Sequence, residues 1–343
     1  MAISERQRRC ALIRRPDGSY RLNIEEAAVP KPAEHEVLVR VRAASLNRRD
    51  VYVLHGRYPM PPRPTLVPLS DGAGDVVSVG TAVTRFKAGD RVAAIFFQRW
   101  LSGRPDAETP SSALGGQLDG MLSEYVCLAE EGWVRVPDGY SCEEASTLPC
   151  AAVTAWNGLV TRGGMRAGDT VLILGTGGVS IFGVQFAAAA GARPIVISSS
   201  DEKLARARTL GAVTTINYTT TPEWSAAVRA ATRGVGVHHV LEVGGTGTLP
   251  QSIASLAPGG HIALIGGLSG FGGDIPVMAL LHANTTASGI YVGSRANFEA
   301  MNTFIGRHGI RPVIDRTYDL HETSLAYRRI ESGEHLGKVV IKL

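Results

Sequence analysis

This sequence has few cysteines and a small net charge, and both features limit the classes of protein that it can represent. Four of its 343 residues are cysteine, and no two of them lie at the short spacings of a disulfide framework or a cysteine-rich metal site. Such cysteine usage fits a reducing compartment, so we expect a cytoplasmic protein. The net charge of +4 is small for this length, and basic residues cluster only between Arg6 and Arg15. We therefore expect no nucleic-acid partner.

Long apolar runs are also missing. The most apolar stretch, from Val179 to Ala192, is too short to span a bilayer and is better suited to a buried helix. The residues that follow Arg15 include Pro16, Asp17 and Arg21 in place of the apolar core of a cleaved signal. We expect no membrane-spanning segment, no membrane partner and no cleaved signal.

The pattern of apolar residues divides the chain into two parts. Single hydrophobic cores stop growing near roughly 250–300 residues, so this length favours two domains. The first third contains short strands joined by turns, for example Glu36 to Val41 and Gly74 to Val79. After Cys150, short buried runs such as Val171 to Leu174 alternate with helix-length segments, as in a parallel sheet covered on both faces. The sequence thus predicts a mainly β domain followed by a doubly wound α/β domain, and the last strand, Val339 to Ile341, can return to the first domain.

A glycine-rich turn joins the first buried strand of the second part to an alanine-rich helix. Its residues are Gly175, Thr176, Gly177, Gly178, Val179 and Ser180. A turn in this position presents free backbone amides and the positive end of the helix dipole, which together favour a pyrophosphate. We expect Gly175 to permit the tight turn, Gly177 to let the backbone approach the phosphates, and Ser180 to allow close packing of the helix. The alternative is a turn without a ligand.

The end of the next strand indicates which dinucleotide binds. Units that bind NAD usually carry an acid there, which bonds the ribose hydroxyls. Here the strand ends in Ser198, Ser199 and Ser200, the first acid is Asp201, and Lys203 follows. Hydroxyls and an ammonium suit a 2′-phosphate, which a carboxylate would repel, so we predict that the cofactor is NADPH (NADP). The alternative is that Lys203 is an ordinary solvated residue.

Seven segments, in order along nearly the whole chain, resemble the medium-chain dehydrogenase/reductases, a family that includes zinc alcohol dehydrogenases, quinone oxidoreductases and enoyl reductases. They are Ala44 to Asp50, Gly56 to Pro59, Asp71 to Gly74, Phe86 to Val92, Leu148 to Cys150, Gly175 to Ser180, and Leu210 to Ala212. The resemblance implies an α/β protein with a GroES-like β-barrel catalytic domain, residues 1–150 together with 293–343, and a doubly wound Rossmann cofactor domain, residues 151–292. It also implies a homodimer formed through the sheet edge near residues 287–291.

Most residues that hold zinc in the zinc-dependent branch of this family are replaced. That branch has a cysteine in place of Asn47 and a histidine beside the segment that here begins at Ser70, so only Cys150 matches one of its ligands. A catalytic zinc needs three protein ligands, and Asn and Ser are poor substitutes for thiolate and imidazole. The loop from Arg99 to Asp119, where that branch can carry four structural cysteines, contains none. We predict that both zinc sites are absent and that Cys150 is a packing residue.

The zinc-free branch is the better match. Its quinone reductases carry an asparagine matching Asn47, an aspartate matching Asp50, and tyrosines resembling Tyr52 and Tyr58, so the resemblance implies that these are the catalytic residues. Around the cofactor, the resemblance adds residues at strand or helix ends. They are Thr154, Lys203, Asn217, Tyr218, Gly244, Gly266 and Val292.

Several charged residues have two interpretations each. Arg48 and Arg49 depart from the uncharged residues expected beside the asparagine, and they indicate either a polar or anionic substrate or side chains that point to solvent. Asp50 either polarises a proton donor or forms a structural ion pair with these arginines. His238 and His239 begin a strand whose adjacent residues face opposite sides, so we expect one to be exposed and one to be satisfied in the core.

These features together predict an oxidoreductase with a small-molecule substrate. Substrates that delocalise the developing charge are the easiest to reduce without a metal, so we predict hydride transfer from NADPH to an activated C=C, as in enones and enoyl thioesters, or to a quinone. Asn47 and either Tyr52 or Tyr58 are the expected hydrogen-bond donors, and the same tyrosine or water is the expected proton source. Two alternatives stay open: a zinc-free alcohol dehydrogenase or carbonyl reductase, and an NADPH-binding protein without catalysis. The sequence does not identify the substrate.

Overall fold

Two compact units make up the protein in a computed structural model that describes residues 4–270, 272 and 277–343. The first unit combines Met1–Val153 with Gly293–Leu343, and the second unit is Thr154–Val292. The first boundary falls at Val153, slightly beyond residue 150, where the sequence pattern changes. The second boundary falls after residue 292, as in the sequence-based division.

Strands and short helices alternate along the chain. The strands are β1 (Arg6–Arg14), β2 (Tyr20–Ala28), β3 (Glu36–Leu46), β4 (Thr65–Leu66), β5 (Asp71–Val79), β6 (Arg91–Ala94), β7 (Tyr125–Ala129), β8 (Trp133–Arg135), β9 (Thr170–Leu174), β10 (Arg193–Ser198), β11 (Thr214–Asn217), β12 (Val237–Glu242), β13 (Leu256–Leu264), β14 (Thr286–Gly289), β15 (Ile314–Asp319) and β16 (Lys338–Lys342). The helices are α1 (Arg48–Leu54), α2 (Cys142–Ser146), α3 (Val153–Trp156), α4 (Gly178–Ala189), α5 (Asp201–Thr209), α6 (Trp224–Ala231), α7 (Leu249–Ala254), α8 (Val277–His282), α9 (Arg295–His308) and α10 (Thr323–Glu331).

The first unit is built on a seven-stranded sheet with the order β15-β16-β3-β5-β6-β8, and β7 also pairs with β3. A three-stranded sheet, β2-β1-β4, accompanies it. The central strand β3 shows why this segment is a strand: Val39 and Val41 are buried, while Arg40 and Arg42, which alternate with them, are exposed. The buried valines pack in a cluster that includes Trp133.

Antiparallel pairing around β3 brings three separate segments of the first unit together at one edge. β5 and β16 both run antiparallel to β3, with Asp71 opposite Ser45 and Val339 opposite Leu46. The end of β3 therefore lies beside the beginnings of β5 and β16. Asn47 follows β3, and Lys338 opens β16, so residues far apart in sequence meet there.

The second unit is a six-stranded parallel sheet with the order β11-β10-β9-β12-β13-β14. This order, in which the first strand of the unit lies in the middle, is that of a doubly wound dinucleotide-binding sheet. Strand β9 is an apolar run, from Val171 to Leu174, that is buried along its length. Ligands in such sheets bind at the carboxyl ends of the strands where the order reverses, which here is beside β9.

The helices follow the sequence pattern with one difference. The helical segment predicted from residue 151 to residue 160 consists of α3 flanked by two π-helical turns, Leu148–Ala152 and Asn157–Arg162. Gly158 lies in the second turn, and a Cβ atom there would be 3.2 Å from Cβ of Ala263 and 3.3 Å from Cδ1 of Leu241. The missing side chain thus lets this turn lie close against β12 and β13. Among the described residues, no helix has the length and apolar character needed to cross a membrane.

Candidate active site and cofactor site

Asn47 lies at the junction between β3 and α1, where it is the N-cap of the helix. Its backbone N–H donates a 2.7 Å hydrogen bond to Oδ2 of Asp50, and its backbone carbonyl accepts a 3.0 Å bond from the Asp50 N–H. Asparagine is among the residues preferred at N-caps, and an acid at the third helical position completes the reciprocal cap. The structure therefore brings Asn47 and Asp50 together, as two of the four candidate catalytic residues.

The side chain of Asn47 is held by a lysine that the sequence patterns did not single out. Nζ of Lys338 lies 2.6 Å from Oδ1 of Asn47, 2.7 Å from the carbonyl oxygen of Leu46 and 3.5 Å from Oδ2 of Asp71. Lys338 is only 2% exposed, which is unusual for lysine and requires partners for its charge. A lysine opening an apolar strand gave only a weak signal in the sequence.

Asp71 provides the opposite charge to Lys338 in this buried group. Its Oδ1 accepts a 2.6 Å hydrogen bond from the hydroxyl of Ser70, and its Oδ2 lies 3.3 Å from the backbone nitrogen of Cys150. Asp71 and Ser70 are fully buried. The carboxylate is therefore satisfied on both oxygens, and the ion pair with Lys338 is enclosed by protein.

One polar atom of Asn47 is left over. Its Nδ2 is buried and has no hydrogen-bond partner among the described residues. Native proteins pair nearly all buried polar groups, so an unpaired amide in a candidate active site indicates a place for a ligand acceptor. A carboxamide N–H₂ in such a place can donate to an oxygen on which negative charge develops.

Asp50 and Arg49 are both buried in α1, next to Asn47. Burial raises the pKa of Asp50 to about 6, and the nearby Arg49 guanidinium acts against that increase. The Arg49 guanidinium carbon lies 4.5 Å from the ring centre of Phe96 and 5.1 Å from that of Tyr58. The solvent-facing interpretation of Arg49 is therefore wrong, because two aromatic rings and Asp50 provide a buried site for its charge.

Arg48 differs from Arg49. It is exposed, and its Nη1 donates to the backbone carbonyls of Ile330 and Glu331 at 3.1 and 3.2 Å. These carbonyls are at the C-terminal end of α10, where a cation is favoured by the helix dipole. Arg48 thus fastens α1 to α10.

The two candidate tyrosines have different surroundings. Tyr58 packs against the apolar cluster that contains Val53, and it lines a cavity of about 170 Å³. The ring of Tyr52, on α1, is 5.8 Å from the guanidinium carbon of Arg48. Tyr58 is thus placed as a packing residue beside Arg49, while Tyr52 shares its short helix with Asp50.

The ligand set of a catalytic zinc does not fit these residues. Asn47 and Ser70 offer an amide and a hydroxyl, and the Asn47 oxygen already accepts from the Lys338 ammonium. Burial, and after it the charge of Asp71, raises the pKa of the Cys150 thiol. The raised pKa disfavours the thiolate form that zinc requires. A cation bonded to Asn47 and paired with Asp71 repels a second cation.

A separate group of potential metal-ligating side chains lies at the surface. In the described part of the chain, Asp319, His321 and Glu322 bring one such atom each within 4.8 Å of one another. Glu322 also accepts a 3.0 Å bond from the backbone of Asp319, so the group forms a helix cap. Exposed acidic groups of this kind are common, and we assign no metal to it.

The glycine turn of the second unit has the backbone geometry that the sequence predicts. Gly175 has φ of +72°, a conformation that favours glycine, and its N–H donates to the carbonyl of Ile197 at 2.7 Å. Gly177 is the N-cap of α4, which begins at Gly178, so the first amides of a 12-residue helix face this turn. The turn therefore fits the pyrophosphate of a dinucleotide.

Ser180 has a structural contact in this turn. Its hydroxyl donates a 2.6 Å hydrogen bond to the carbonyl of Leu174, the last residue of β9, and its side chain is buried. It therefore tightens the connection between strand and helix, which agrees with the expected role in helix packing. Thr176 is also buried, and Val179 is partly exposed in the first turn of α4.

A cavity of about 420 Å³ opens beside Gly175, at the carboxyl ends of β9, β10 and β12. Its lining residues are Leu174, Gly175, Ile197, Tyr218, Pro222, Trp224, Val243, Gly244, Gly247, Thr248, Leu268 and Ser269. Three of them, Gly175, Tyr218 and Gly244, were expected to contact the cofactor. None of these described residues is acidic, and aromatic and aliphatic walls suit the adenosine part of a dinucleotide.

The serines after β10 have different roles. Ser198 is buried at the strand end, Ser199 is exposed, and the hydroxyl of Ser200 caps α5 by accepting a 3.3 Å bond from the Lys203 backbone N–H. Both ends of the Asn217 amide bond within the protein: Nδ2 to Asp201 at 2.9 Å, and Oδ1 to the Thr219 N–H at 3.0 Å. Asn217 thus fixes the loop that carries Tyr218.

Glu242, which the sequence analysis did not single out as a site residue, organises the loop that lines the cavity. It is 1% exposed, and its carboxylate accepts bonds from Gly244 N at 2.7 Å, Gly245 N at 3.0 Å and Thr248 Oγ1 at 2.7 Å, and also from the Ser252 hydroxyl. An acid within a buried apolar strand was the available signal, because such a charge requires partners.

Three further expected cofactor residues lie at element ends of the second unit. Thr154 is buried in α3. Gly266 follows β13, and no side chain would fit there, because a Cβ atom would be 2.8 Å from the carbonyl oxygen of Val243. Val292 has φ of +58°, which is strained for valine, and its carbonyl accepts a 2.7 Å bond from Asn157.

The histidine pair behaves as its strand position predicts. His238 is exposed, while His239 is buried and its Nε2 lies 3.1 Å from Oδ2 of Asp169. The side chains of adjacent strand residues point to opposite faces. One histidine is therefore exposed and one buried, as expected, but Nδ1 of the buried His239 has no hydrogen-bond partner among the described residues, so this side chain is satisfied at one nitrogen only.

Both parts of the chain are similar to known dehydrogenases and reductases. The family described as "Alcohol dehydrogenase GroES-like domain" matches residues 33–138, and that described as "Zinc-binding dehydrogenase" matches residues 178–307. A zinc-type alcohol dehydrogenase-like protein of Schizosaccharomyces pombe is 46% identical over 95% of this chain and 96% of its own length. An acryloyl-coenzyme A reductase of Metallosphaera sedula is 29% identical over 93% of this chain and 95% of its own. A solved structure, described as an NAD-dependent alcohol dehydrogenase, has a TM-score of 0.87 and 32% identity, with 98% of this chain and 99% of that chain covered.

The fold and the two sites define an oxidoreductase with a GroES-like domain and a Rossmann domain. The chain belongs to the medium-chain dehydrogenase/reductase family. The predicted family, fold class and enzyme class are therefore confirmed. The segment matched by the zinc-binding description, residues 178–307, contains none of Asn47, Ser70 and Cys150.

Proposed function

We propose that this protein is an NADPH-dependent reductase that transfers hydride to an activated C=C or to a quinone without a metal. The observation that carries the proposal is the buried, unpaired Nδ2 of Asn47, whose Oδ1 is bonded to Lys338. An unpaired N–H₂ offers a hydrogen bond to a substrate oxygen. The poor fit of Asn47, Ser70 and Cys150 to zinc supports a reaction without a metal, although the Schizosaccharomyces relative is named zinc-type.

The chemistry divides between the cofactor and the residues of the chain. NADPH, when bound, supplies the hydride. In an enone, hydride adds to the β-carbon, the electron pair of the C=C moves toward the carbonyl oxygen, and a proton then adds to the α-carbon. Asn47 donates a hydrogen bond to that oxygen as its negative charge develops, which stabilises the transition state more than the bound substrate. Tyr52, or water, provides the proton.

The second unit carries the residues proposed to hold the cofactor. The turn from Gly175 to Gly178 would hold the pyrophosphate, the cavity beside it would take the adenosine, and Lys203 would pair with the 2′-phosphate. The absence of an acid among the described residues that line the cavity supports NADPH over NADH. The solved relative described as NAD-dependent makes NADH the alternative.

A set of matched substrates tests the proposed reaction. The rate of NADPH oxidation is measured with cyclohexenone, cyclohexanone, benzoquinone and crotonyl-CoA, and cyclohexanol is offered with NADP. We expect turnover with cyclohexenone, benzoquinone or crotonyl-CoA and little with cyclohexanone or cyclohexanol. The identified product of cyclohexenone should be cyclohexanone, which shows that the C=C rather than the C=O is reduced.

Two other outcomes would overturn this proposal. Faster turnover of the cyclohexanone and cyclohexanol pair would assign the protein to the zinc-free alcohol dehydrogenases or carbonyl reductases, which the name of the solved relative favours. Tight binding of NADPH without oxidation by any of these electrophiles would favour a non-catalytic NADPH-binding protein.

A further inference from the structure

We propose that Lys338 is a positioning residue: its ammonium fixes the Asn47 carboxamide so that the N–H₂ group, and not the oxygen, faces the substrate. The inference deepens the proposed function and rests on it. It assigns a task to a buried cation that no sequence motif indicated, and it begins from the 2.6 Å contact between Nζ of Lys338 and Oδ1 of Asn47.

The orientation follows from what each group can donate. An ammonium has three N–H donors and no acceptor, so the amide atom that it contacts must be the oxygen. Three oxygens lie near the three N–H donors of Lys338: Oδ1 of Asn47, the carbonyl oxygen of Leu46 and, at a longer distance, Oδ2 of Asp71. Rotation of the amide by half a turn would place its N–H₂ against the ammonium, with like partial charges in contact. Asn47 therefore has one stable orientation.

The position of Lys338 is itself fixed. Its strand β16 pairs with β3 at Val339 and Leu46, and the ion pair with Asp71 is anchored by the Ser70 hydroxyl. Strand β3, which pairs with β16, and strand β5, which pairs with β3, thus each provide an oxygen to the ammonium. Rigid strands place a functional group more precisely than loops do.

The ammonium also strengthens the donor that it orients. A hydrogen bond from a cation to an amide oxygen draws electron density from the nitrogen, which makes its N–H bonds more acidic. The unpaired Nδ2 of Asn47 is the atom affected. Lys338 thereby acts on a substrate oxygen through Asn47, without contact of its own.

A double-mutant cycle tests the inference, with cyclohexenone and NADPH as the assay pair, or benzoquinone or crotonyl-CoA if one of them is the faster substrate. Lys338→Met keeps the length and apolar stem of the side chain but removes the donors. We expect Lys338→Met to lower kcat about 10- to 100-fold with the Kd for NADPH unchanged. In an Asn47→Ala background, where no amide remains to orient, the same substitution should have no further effect on kcat.

Asn47→Asp supplies a second test that leaves Lys338 in place. An aspartate keeps an oxygen for the ammonium but replaces the N–H₂ by another oxygen, so we expect it to lose as much turnover as Asn47→Ala. Asn47→Asp thus tests the N–H₂ donor on which the inference rests. If Lys338→Met fails to fold, its combination with Asp71→Asn removes the buried carboxylate charge that has lost its partner, and the comparison with the Asn47→Ala background is made in that variant.

The failures of the two proposals can be told apart. Full turnover of Asn47→Ala would overturn the proposed function. Loss of turnover in Asn47→Ala, combined with full turnover in Lys338→Met, would overturn only the positioning by Lys338. Equal losses from Lys338→Met in the wild-type and Asn47→Ala backgrounds would also overturn it, since they would show that Lys338 acts independently of Asn47. Full turnover in Asn47→Asp would overturn the N–H₂ donor and the proposed function with it.

Discussion

Oδ2 of Asp50 accepts a 2.7 Å hydrogen bond from the backbone N–H of Asn47, so a fully buried carboxyl caps the helix that begins the active-site segment. Burial dominates its electrostatics and raises the pKa to about 6, while Arg49 and the Asn47 N–H act in the opposite direction. The other oxygen, Oδ1, has no hydrogen-bond partner among the described residues. This carboxyl therefore gains a proton within a pH range in which exposed aspartates are ionised.

The pKa of Asp50 predicts a pH dependence of stability. Between about pH 4 and pH 6 the folded chain keeps a proton on Asp50 that the unfolded chain has released, so the contribution of this residue to the free energy of unfolding falls as pH rises. The decrease is on the order of 3 kcal/mol across that range. Asp50→Asn cannot titrate and retains an oxygen for the cap. The difference in unfolding free energy between wild type and Asp50→Asn, measured by denaturant titration from pH 4 to 6.5, should decline with rising pH.

Asp315 gives the control for this measurement. The Arg329 hydrogen bonds lower its pKa, so its stabilising effect is lost only as pH falls below the ordinary range for aspartate. Asp315→Asn should therefore show no decline between pH 4.5 and 6.5. A pH-independent difference for Asp50→Asn would mean that Asp50 is ionised in the folded protein throughout this range.

The sequence predicted local features of the fold and site better than their long-range partners. The turn at Gly175, the strand of Val171 and the opposite facing of His238 and His239 followed from local pattern, because backbone sterics and alternation act over a few residues. Lys338 was missed because its role depends on the pairing of β16 with β3, which joins residues nearly three hundred positions apart. Local pattern carries no information on such pairing.

Arg49 is a second residue whose surroundings could not be predicted from local pattern. From sequence, Arg49 indicated either a polar or anionic substrate or a side chain that points to solvent. The aromatic rings that accommodate its charge come from Tyr58 and from Phe96, which lies on a different segment. Only the tertiary fold reveals that this cation is buried.

Cofactor choice is the second prediction. NADPH should bind more tightly than NADH, because serines and Lys203 stand where units that bind NAD usually carry an acid, and none of the described residues that line the cavity is acidic. Lys203→Ala should weaken NADPH binding by on the order of 1–3 kcal/mol, the scale of a charge-assisted hydrogen bond, and leave NADH binding unchanged. Arg206→Ala removes the same charge from an exposed position one turn further along α5 and is the control. Equal affinity of the wild type for both cofactors, measured by fluorescence titration, would contradict the prediction.

The third prediction concerns metal content. Asn47 and Ser70 are poor zinc ligands, and the Lys338 ammonium lies against the Asn47 oxygen. The purified protein should therefore contain far less than one zinc per chain, and activity on cyclohexenone or the faster substrate should survive a chelator. Elemental analysis before and after dialysis against the chelator provides the measurement. Zinc near one per chain, lost together with activity, would show that the ligand assignment is wrong.

Homodimerisation is the fourth prediction, and it concerns the edge of the parallel sheet. β14 is the last strand in the sheet order and pairs on one side only among the described residues, and an edge strand ordinarily needs a cover. Light scattering at micromolar concentration should give twice the chain mass. Ala287→Lys, at an exposed position of β14, should shift the mass toward the monomer, whereas Val235→Lys, at an exposed position before β12, should not. A monomeric wild-type protein would contradict the predicted homodimer.

The last prediction assigns unequal roles to the two tyrosines. The ring of Tyr58 lies over Arg49 and packs against the apolar cluster that includes Val53, so we expect a packing role and nearly full turnover in Tyr58→Phe. Tyr52 shares α1 with Asp50, and if it delivers the proton to the α-carbon, Tyr52→Phe should lower kcat by about 10²-fold while the Kd for NADPH stays constant. Loss of the donor should also make proton transfer slower relative to hydride transfer, so the solvent isotope effect on kcat should increase. The opposite ranking of the two variants would move the proton donor to Tyr58, and full turnover in both would leave water as the proton source.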